Sequence, residues 1–237
     1  MSWYEELDFD ENPFSTNPKE FTDSLIELEE HTEELFYRIN SANMLVIEGK
    51  KGYGKTSLLV KAIEKFGGRK KIIYVDCSQL DKELDIRDLL IKRYSFIGRF
   101  LNKKPKKMIL LLDNVNELTK QNNERIKFYF DQNYIQSVIF TCTSYSKVKF
   151  SDSIRDRIGK RVIKINPLSP DNAVRLIRER IGDIELFNDK LIKDIYKTSG
   201  NNQKKMLENC ELAAINAVNK NRNRVQKIDI DQALGDK

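Results

Sequence analysis

Five short apolar runs, set between stretches of helical spacing, organise the chain from residue 44 to residue 165. They are Met44-Leu45-Val46-Ile47-Glu48, Lys71-Ile72-Ile73-Tyr74-Val75-Asp76-Cys77, Met108-Ile109-Leu110-Leu111-Leu112-Asp113, Ser137-Val138-Ile139-Phe140-Thr141-Cys142 and Arg161-Val162-Ile163-Lys164-Ile165. Each has the length and near-continuous apolar character of a strand buried on both faces. Helical periodicity predicts a helix over Ser57–Phe66, closed by Gly67-Gly68, another from about Ile86 to Leu101, and a third from roughly Asn122 to Phe130. Ahead of the first strand, Leu25, Leu28, Leu35, Phe36 and Ile39 share one face of a helix expected over Thr22–Ile39, with glutamates on the others. Alternation of this kind predicts an α/β fold with a doubly wound parallel sheet of five strands, whose working residues lie at the carboxyl ends of the strands.

After Pro167 the strand pattern stops. Ser169-Pro170-Asp171 is a helix-start signal for Asn172–Ile181, and further helices are expected over Asp189–Thr198, Lys204–Asn219 and, briefly, Asp229–Leu234. This makes a small all-helical domain over 168–237, behind a sheet domain over 21–167. Residues 1–20 carry Trp3, Tyr4, Phe9, Pro13, Phe14 and Pro18 among polar residues, as an extended arm that pins aromatics onto a folded body.

Between the first strand and its helix lies Gly49-Lys50-Lys51-Gly52-Tyr53-Gly54-Lys55-Thr56, followed by Ser57, which fits the phosphate-cradling pattern G-x-x-x-x-G-K-[ST]. The glycines let successive amides turn inward on phosphate oxygens, Lys55 reaches the β- and γ-phosphates, and the Thr56 hydroxyl is suited to Mg2+. The order strand, loop, helix is what that motif requires. The third strand ends in Asp113, the pattern of a carboxylate that holds Mg2+ at the edge of a buried sheet. A nucleotide with Mg2+ is the expected ligand.

Composition narrows the setting. With 33% charged and 40% hydrophobic residues the chain reads as a soluble globular protein, and it has neither a membrane-length apolar run nor a signal-like start, so a cytoplasmic location is expected. Cys77, Cys142 and Cys210 show no metal or disulfide spacing, and the sole histidine, His31, is expected to play a plain surface role. The net charge of +6 is compatible with a polyanionic partner. Its basic clusters, Arg69-Lys70-Lys71, Lys103-Lys104-Pro105-Lys106-Lys107 and Lys220-Asn221-Arg222-Asn223-Arg224, fall in expected loops, where solvation is the commoner role.

Together these parts resemble an AAA+ ATPase over nearly all of residues 9–235. Asn12-Pro13-Phe14 and Leu111-Leu112-Asp113-Asn114-Val115-Asn116-Glu117-Leu118 resemble the branch of origin-recognition and transposition-helper ATPases, and Ile165-Asn166-Pro167-Leu168-Ser169 resembles the junction of base and lid. The resemblance implies that Lys204, in Ser199-Gly200-Asn201-Asn202-Gln203-Lys204, reaches the γ-phosphate from the lid, where arginine is usual. It implies that Thr143, with Ser144 close behind, is the polar residue at the end of the fourth strand. An arginine acting on the nucleotide of a neighbouring subunit is implied within Ser153–Arg161, as Arg157 or Arg161. The family usually follows the metal aspartate with a glutamate, whereas this chain has Asn114, which orients a water but cannot take its proton; Glu117 is a substitute if its loop brings it close. The chain also stops where relatives with a winged-helix domain continue. The resemblance implies that the nucleotide is ATP or ADP, and the expected function is a nucleotide-dependent switch or assembly factor in DNA-associated processes, with self-association or an AAA+ partner and DNA as a candidate ligand. The alternative is a nucleotide-gated module for protein partners with little hydrolysis; a small-molecule kinase ranks last.

Overall fold

The computed structural model describes residues 2–22, 25–68, 71–79, 84–93, 106–116 and 118–235. Five strands, β1 (Met44–Glu48), β2 (Ile72–Asp76), β3 (Met108–Asp113), β4 (Ile135–Cys142) and β5 (Val162–Lys164), form one sheet in the order β2-β3-β4-β1-β5. Every pairing is parallel. All six residues of β3 are buried, as its unbroken apolar run requires of a central strand. The helices among the described residues are α1 (Glu29–Asn40), α2 (Lys55–Phe66), α3 (Ile86–Ile91), α4 (Lys120–Asp131), α5 (Asp152–Ile158), α6 (Pro170–Ile181), α7 (Asp189–Thr198), α8 (Gln203–Val218) and α9 (Lys227–Gly235).

Helix α5 lies where the sequence reading expected no helix, and two expected helices differ in extent. Helix α1 begins at Glu29, not Thr22, because Phe21 and Glu27 take positive φ values of 53° and 59°, which end any continuous helix there. Leu28 of the expected face is nonetheless buried, as is Ile26, so the apolar residues here serve a turn. Helix α3 ends at Ile91, and the expected continuation over 94–101 lies outside the described residues.

By contact the chain divides into two compact units. One holds Glu29–Lys51 and Lys55–Ile165; the other holds Met1–Leu28, Gly52–Gly54 and Asn166–Lys237. In the sheet unit, apolar residues of β1, β3 and β4, among them Val46, Leu110, Leu112, Val138 and Phe140, form a core with Ile126 of α4 and Ile154 and Ile158 of α5. The buried Ser137 hydroxyl donates to the Ile39 carbonyl at 2.8 Å, and His31 joins its ring nitrogen to the Lys164 carbonyl at 3.0 Å, so α1 is fastened to both β4 and the edge strand. Cys142 is buried and Cys77 half-buried; both are free thiols, as Cys210 is in the other unit.

The helical unit is built from both ends of the chain. Pro170 stands at the first turn of α6 behind the Ser169 cap, while Asn188 and Asn202 cap α7 and α8 through their side-chain oxygens. Phe14 has no exposed surface; Trp3 stacks on it with planes 2° apart, and Phe187 meets it edge-on at 5.7 Å. Arg180 donates to the Ser15 carbonyl at 2.9 Å and lies 4.6 Å from the Phe21 ring, and Asn12 donates to Glu211 at 2.6 Å. The opening residues are part of this unit's core.

Candidate functional site

The loop after β1 bends at glycines for which side chains would be costly. Gly52 and Gly54 have φ of 84° and 89°. A Cβ on Gly52 would also lie 2.4 Å from the Asn202 amide oxygen, within the helical unit to which residues 52–54 belong. Lys55 opens α2 and is 6% exposed; its Nζ donates to the carbonyls of Gly49 at 2.7 Å and Lys50 at 3.0 Å. Burial lowers its pKa, against the opposing pull of Asp113 and Cys142. A buried ammonium with two neutral carbonyl acceptors among the described residues is a group suited to an anionic oxygen.

Asp113, 1% exposed, is the centre of the carboxyl edge. Its Oδ2 accepts from the Thr56 hydroxyl at 2.8 Å and from the Tyr74 phenol at 3.0 Å. Its Oδ1 accepts from the Thr141 hydroxyl and from the Asn114 N–H at 3.0 Å. Burial, then the charge of and bond to Asp113, raise the Tyr74 pKa far above the ordinary phenol value, so Tyr74 stays a donor. Thr141 also accepts from the Asn114 N–H at 2.9 Å. The strand register explains the convergence: β2, β3 and β4 run parallel, with Asp76 opposite Asp113 and Phe140 opposite Leu112, so the last residues of all three meet at one edge. The adjacent Thr56 hydroxyl and Asp113 carboxylate are hard oxygen donors. This is the donor set Mg2+ takes when it keeps waters and phosphate oxygens for its remaining positions.

Asn114, with φ of 55°, turns its side chain toward β2 and donates from Nδ2 to Asp76 Oδ1 at 3.1 Å. Ser78 donates to the same oxygen from its N–H at 3.0 Å and its hydroxyl at 2.8 Å. Burial pushes the Asp76 pKa up, but these bonds outweigh it and hold the carboxyl below its ordinary range. Tyr74, Asp76 and Thr141 were not singled out in the sequence. The rule that marked Asp113, a polar residue ending a buried strand, marks Asp76 equally.

The remaining candidates fall as follows. Thr143 is exposed and Ser144 half-buried beyond β4. Lys50 and Lys51 are exposed, Tyr53 is buried, and Ser57 is half-buried in the first turn of α2. Arg157 makes a paired contact with Asp131, at 3.0 and 2.8 Å, and donates to the Ser153 carbonyl. Arg161 donates to the carbonyls of Met44 and Arg157, closing the end of α5. Lys204 is half-exposed on α8, 3.9 Å from Glu208, and its N–H donates to the Gly52 carbonyl at 3.4 Å. Glu117 lies outside the described residues.

This architecture recurs in solved structures. The ORC1 protein of Aeropyrum pernix in complex with DNA is similar at TM-score 0.70 and 13% identity, over 89% of this chain and 65% of that one. Drosophila ORC bound to DNA is similar at 0.65 and 15% identity, over 98% and 64%. The RuvB Holliday junction branch migration motor of Thermotoga maritima is similar at 0.68 and 16% identity, over 89% and 69%. At these identities the likeness is one of fold, and the chain spans less than two thirds of the ORC chains. No curated protein matches the sequence. A family model described as an AAA domain matches residues 41–173, more than half of the sequence and the whole of the sheet with its phosphate-type loop, so the chain belongs to the AAA domain family.

Proposed function

We propose that the chain binds ATP with Mg2+ through the loop of Gly49–Thr56 and Asp113, hydrolyses it, and serves as a nucleotide-dependent switch or assembly factor in DNA-associated processes. The observation that carries the nucleotide is Lys55, a buried ammonium folded onto the carbonyls of Gly49 and Lys50 at the foot of α2. Lys55 and the loop amides hold phosphate oxygens, Thr56 and Asp113 hold Mg2+, and the ion's charge offsets that of the phosphates. Thr143 at the end of β4 and Lys204 of α8 are assigned to the γ-phosphate by resemblance. Arg157 or Arg161 is assigned to the nucleotide of a neighbouring subunit in the same way; using Arg157 would require opening its pair with Asp131. The domain reading, a lid over 168–237 behind a base over 21–167, belongs to the same proposal.

The DNA part rests on the ORC1 and ORC neighbours, both solved with DNA. A second reading, a nucleotide-gated partner of proteins with little hydrolysis, is favoured by Asn114 where a proton-accepting glutamate is usual. Calorimetric titration with ATP and Mg2+ tests the nucleotide: Lys55→Ala is expected to weaken binding about 10–100-fold, the loss of one or two charge-assisted hydrogen bonds. Equal affinity in the two proteins would sink the reading. Retardation of a labelled duplex by the ATP-bound protein, falling steeply with salt, separates the DNA reading from the protein-only one.

A further inference from the structure

Position 114 carries an amide, and that amide is hydrogen-bonded to a carboxylate on the neighbouring strand. We infer that Asp76, at the end of β2, is the proton acceptor for the attacking water in this chain, with Asn114 orienting that water. The inference rests on the ATP-hydrolysing reading above and deepens it.

Three observations carry it. Asp76 and Asp113 are register partners on adjacent parallel strands, so their Cα atoms lie about 5 Å apart and both side chains reach the carboxyl edge where Thr56 and Lys55 stand. Asn114 Nδ2 donates to Asp76 Oδ1, which fixes the amide and leaves its own oxygen as an acceptor for a water O–H. Ser78 gives two further bonds, and all three fall on Oδ1, so among the described residues Oδ2 keeps its lone pairs for another donor. Asp113, whose oxygens receive Thr56, Tyr74, Thr141 and the Asn114 N–H, is assigned to Mg2+ in the reading above and so is not the group that takes the water's proton. Among the described residues Asp76, held by the Asn114 amide, is the carboxylate placed for that step.

In the assigned step the water oxygen forms a bond to the γ-phosphorus while the bond from that phosphorus to the β–γ bridging oxygen breaks. The bridging oxygen keeps the electron pair and leaves with ADP, and the water's proton passes to Asp76 Oδ2. The proton is later released to solvent, which restores the carboxylate.

The test compares wild type, Asp76→Asn, Glu117→Gln and the double variant Asp76→Asn with Asn114→Glu, measuring single-site ATP affinity, steady-state turnover and the melting transition. Asp76→Asn is nearly isosteric; if its melt is not cooperative, Asp76→Ser is read in its place. The expected result is ATP affinity within about threefold of wild type, turnover reduced about 100-fold or more, and at least a tenfold recovery in the double variant, where a carboxylate returns at position 114. Turnover within threefold of wild type overturns the inference, as does loss of ATP binding together with turnover, which marks a structural role at the metal end. Loss in Glu117→Gln with Asp76→Asn unaffected transfers the role to Glu117. Wild type that binds ATP without turning it over overturns the assignment yet leaves nucleotide binding intact, whereas wild type that binds no ATP removes the functional reading itself.

Discussion

Thr141 illustrates how much a single hydroxyl can hold at this edge. It is fully buried in a strand of apolar neighbours, donates a hydrogen bond to Asp113 and accepts one from the Asn114 N–H. Thr141→Val keeps the shape and removes both bonds, so a cost of about 1–3 kcal/mol in denaturant unfolding is expected, with weaker Mg2+-dependent ATP binding. Thr143→Val, at an exposed position, is expected to leave stability within about 0.5 kcal/mol, so the pair of variants separates support of Asp113 from any role toward phosphate. If both variants unfold alike, the buried hydroxyl is not the support the hydrogen bonds describe. The contrast also shows why Thr141 was hard to read: on sequence it is one more β-branched residue in an apolar run, and only the packing of β3 against β4 sets it beside a carboxylate.

At the scale of elements, strands β1 and β3 have the bounds their apolar runs predict, because a strand buried on both faces leaves little freedom in where it starts and stops. Helix α7 matches too, its start set by the Asn188 cap. Where burial and periodicity diverge, sequence misleads: Leu25 and Leu28 mimic the first turns of α1, but the chain is a turn there, with Glu27 in the left-handed region. The candidate site was half legible. Lys55, Thr56 and Asp113 follow from motif spacing, while Tyr74 and Asp76 require knowing that β2 lies beside β3, an adjacency that strand order along the chain does not specify. The opening segment offers its own test. Phe14→Ala removes a fully buried ring from between Trp3 and Phe187, and a loss of about 3–5 kcal/mol is expected in urea unfolding followed by Trp3 fluorescence. A change under 1 kcal/mol would mean the segment is only draped on the helices.

For the whole molecule, acid is the informative stress, and the group to watch is Asp229. Its side chain is fully buried between Lys220 and Arg222, with Oδ2 accepting the Gln226 N–H at 2.9 Å. Burial raises its pKa, but the bonds from Arg222, Gln226 and Lys220 prevail and hold it below the ordinary carboxylate value. A carboxyl whose folded pKa is depressed stabilises the native state fully above the unfolded value, and that contribution fades as pH falls through the folded one. Stability measured from pH 6 downward is therefore expected to fall below the usual carboxylate range, and Asp229→Asn to lie about 1–3 kcal/mol lower at neutral pH with a shallower acid limb. Among the described residues, no helix is long and apolar enough to cross a membrane. The helical unit, finally, draws its core from residues 2–28 and again from 166–235, with the sheet inserted between. On the ribosome this means that Trp3 and Phe14 emerge well before Phe187 and the helices they pack against, so that part of their core waits until the sheet has been made, while the sheet can close around its own contacts earlier. The nascent chain therefore carries these aromatics without their helical cover while the sheet is made, and a bulky fusion placed directly before Trp3 would burden the step at which they dock.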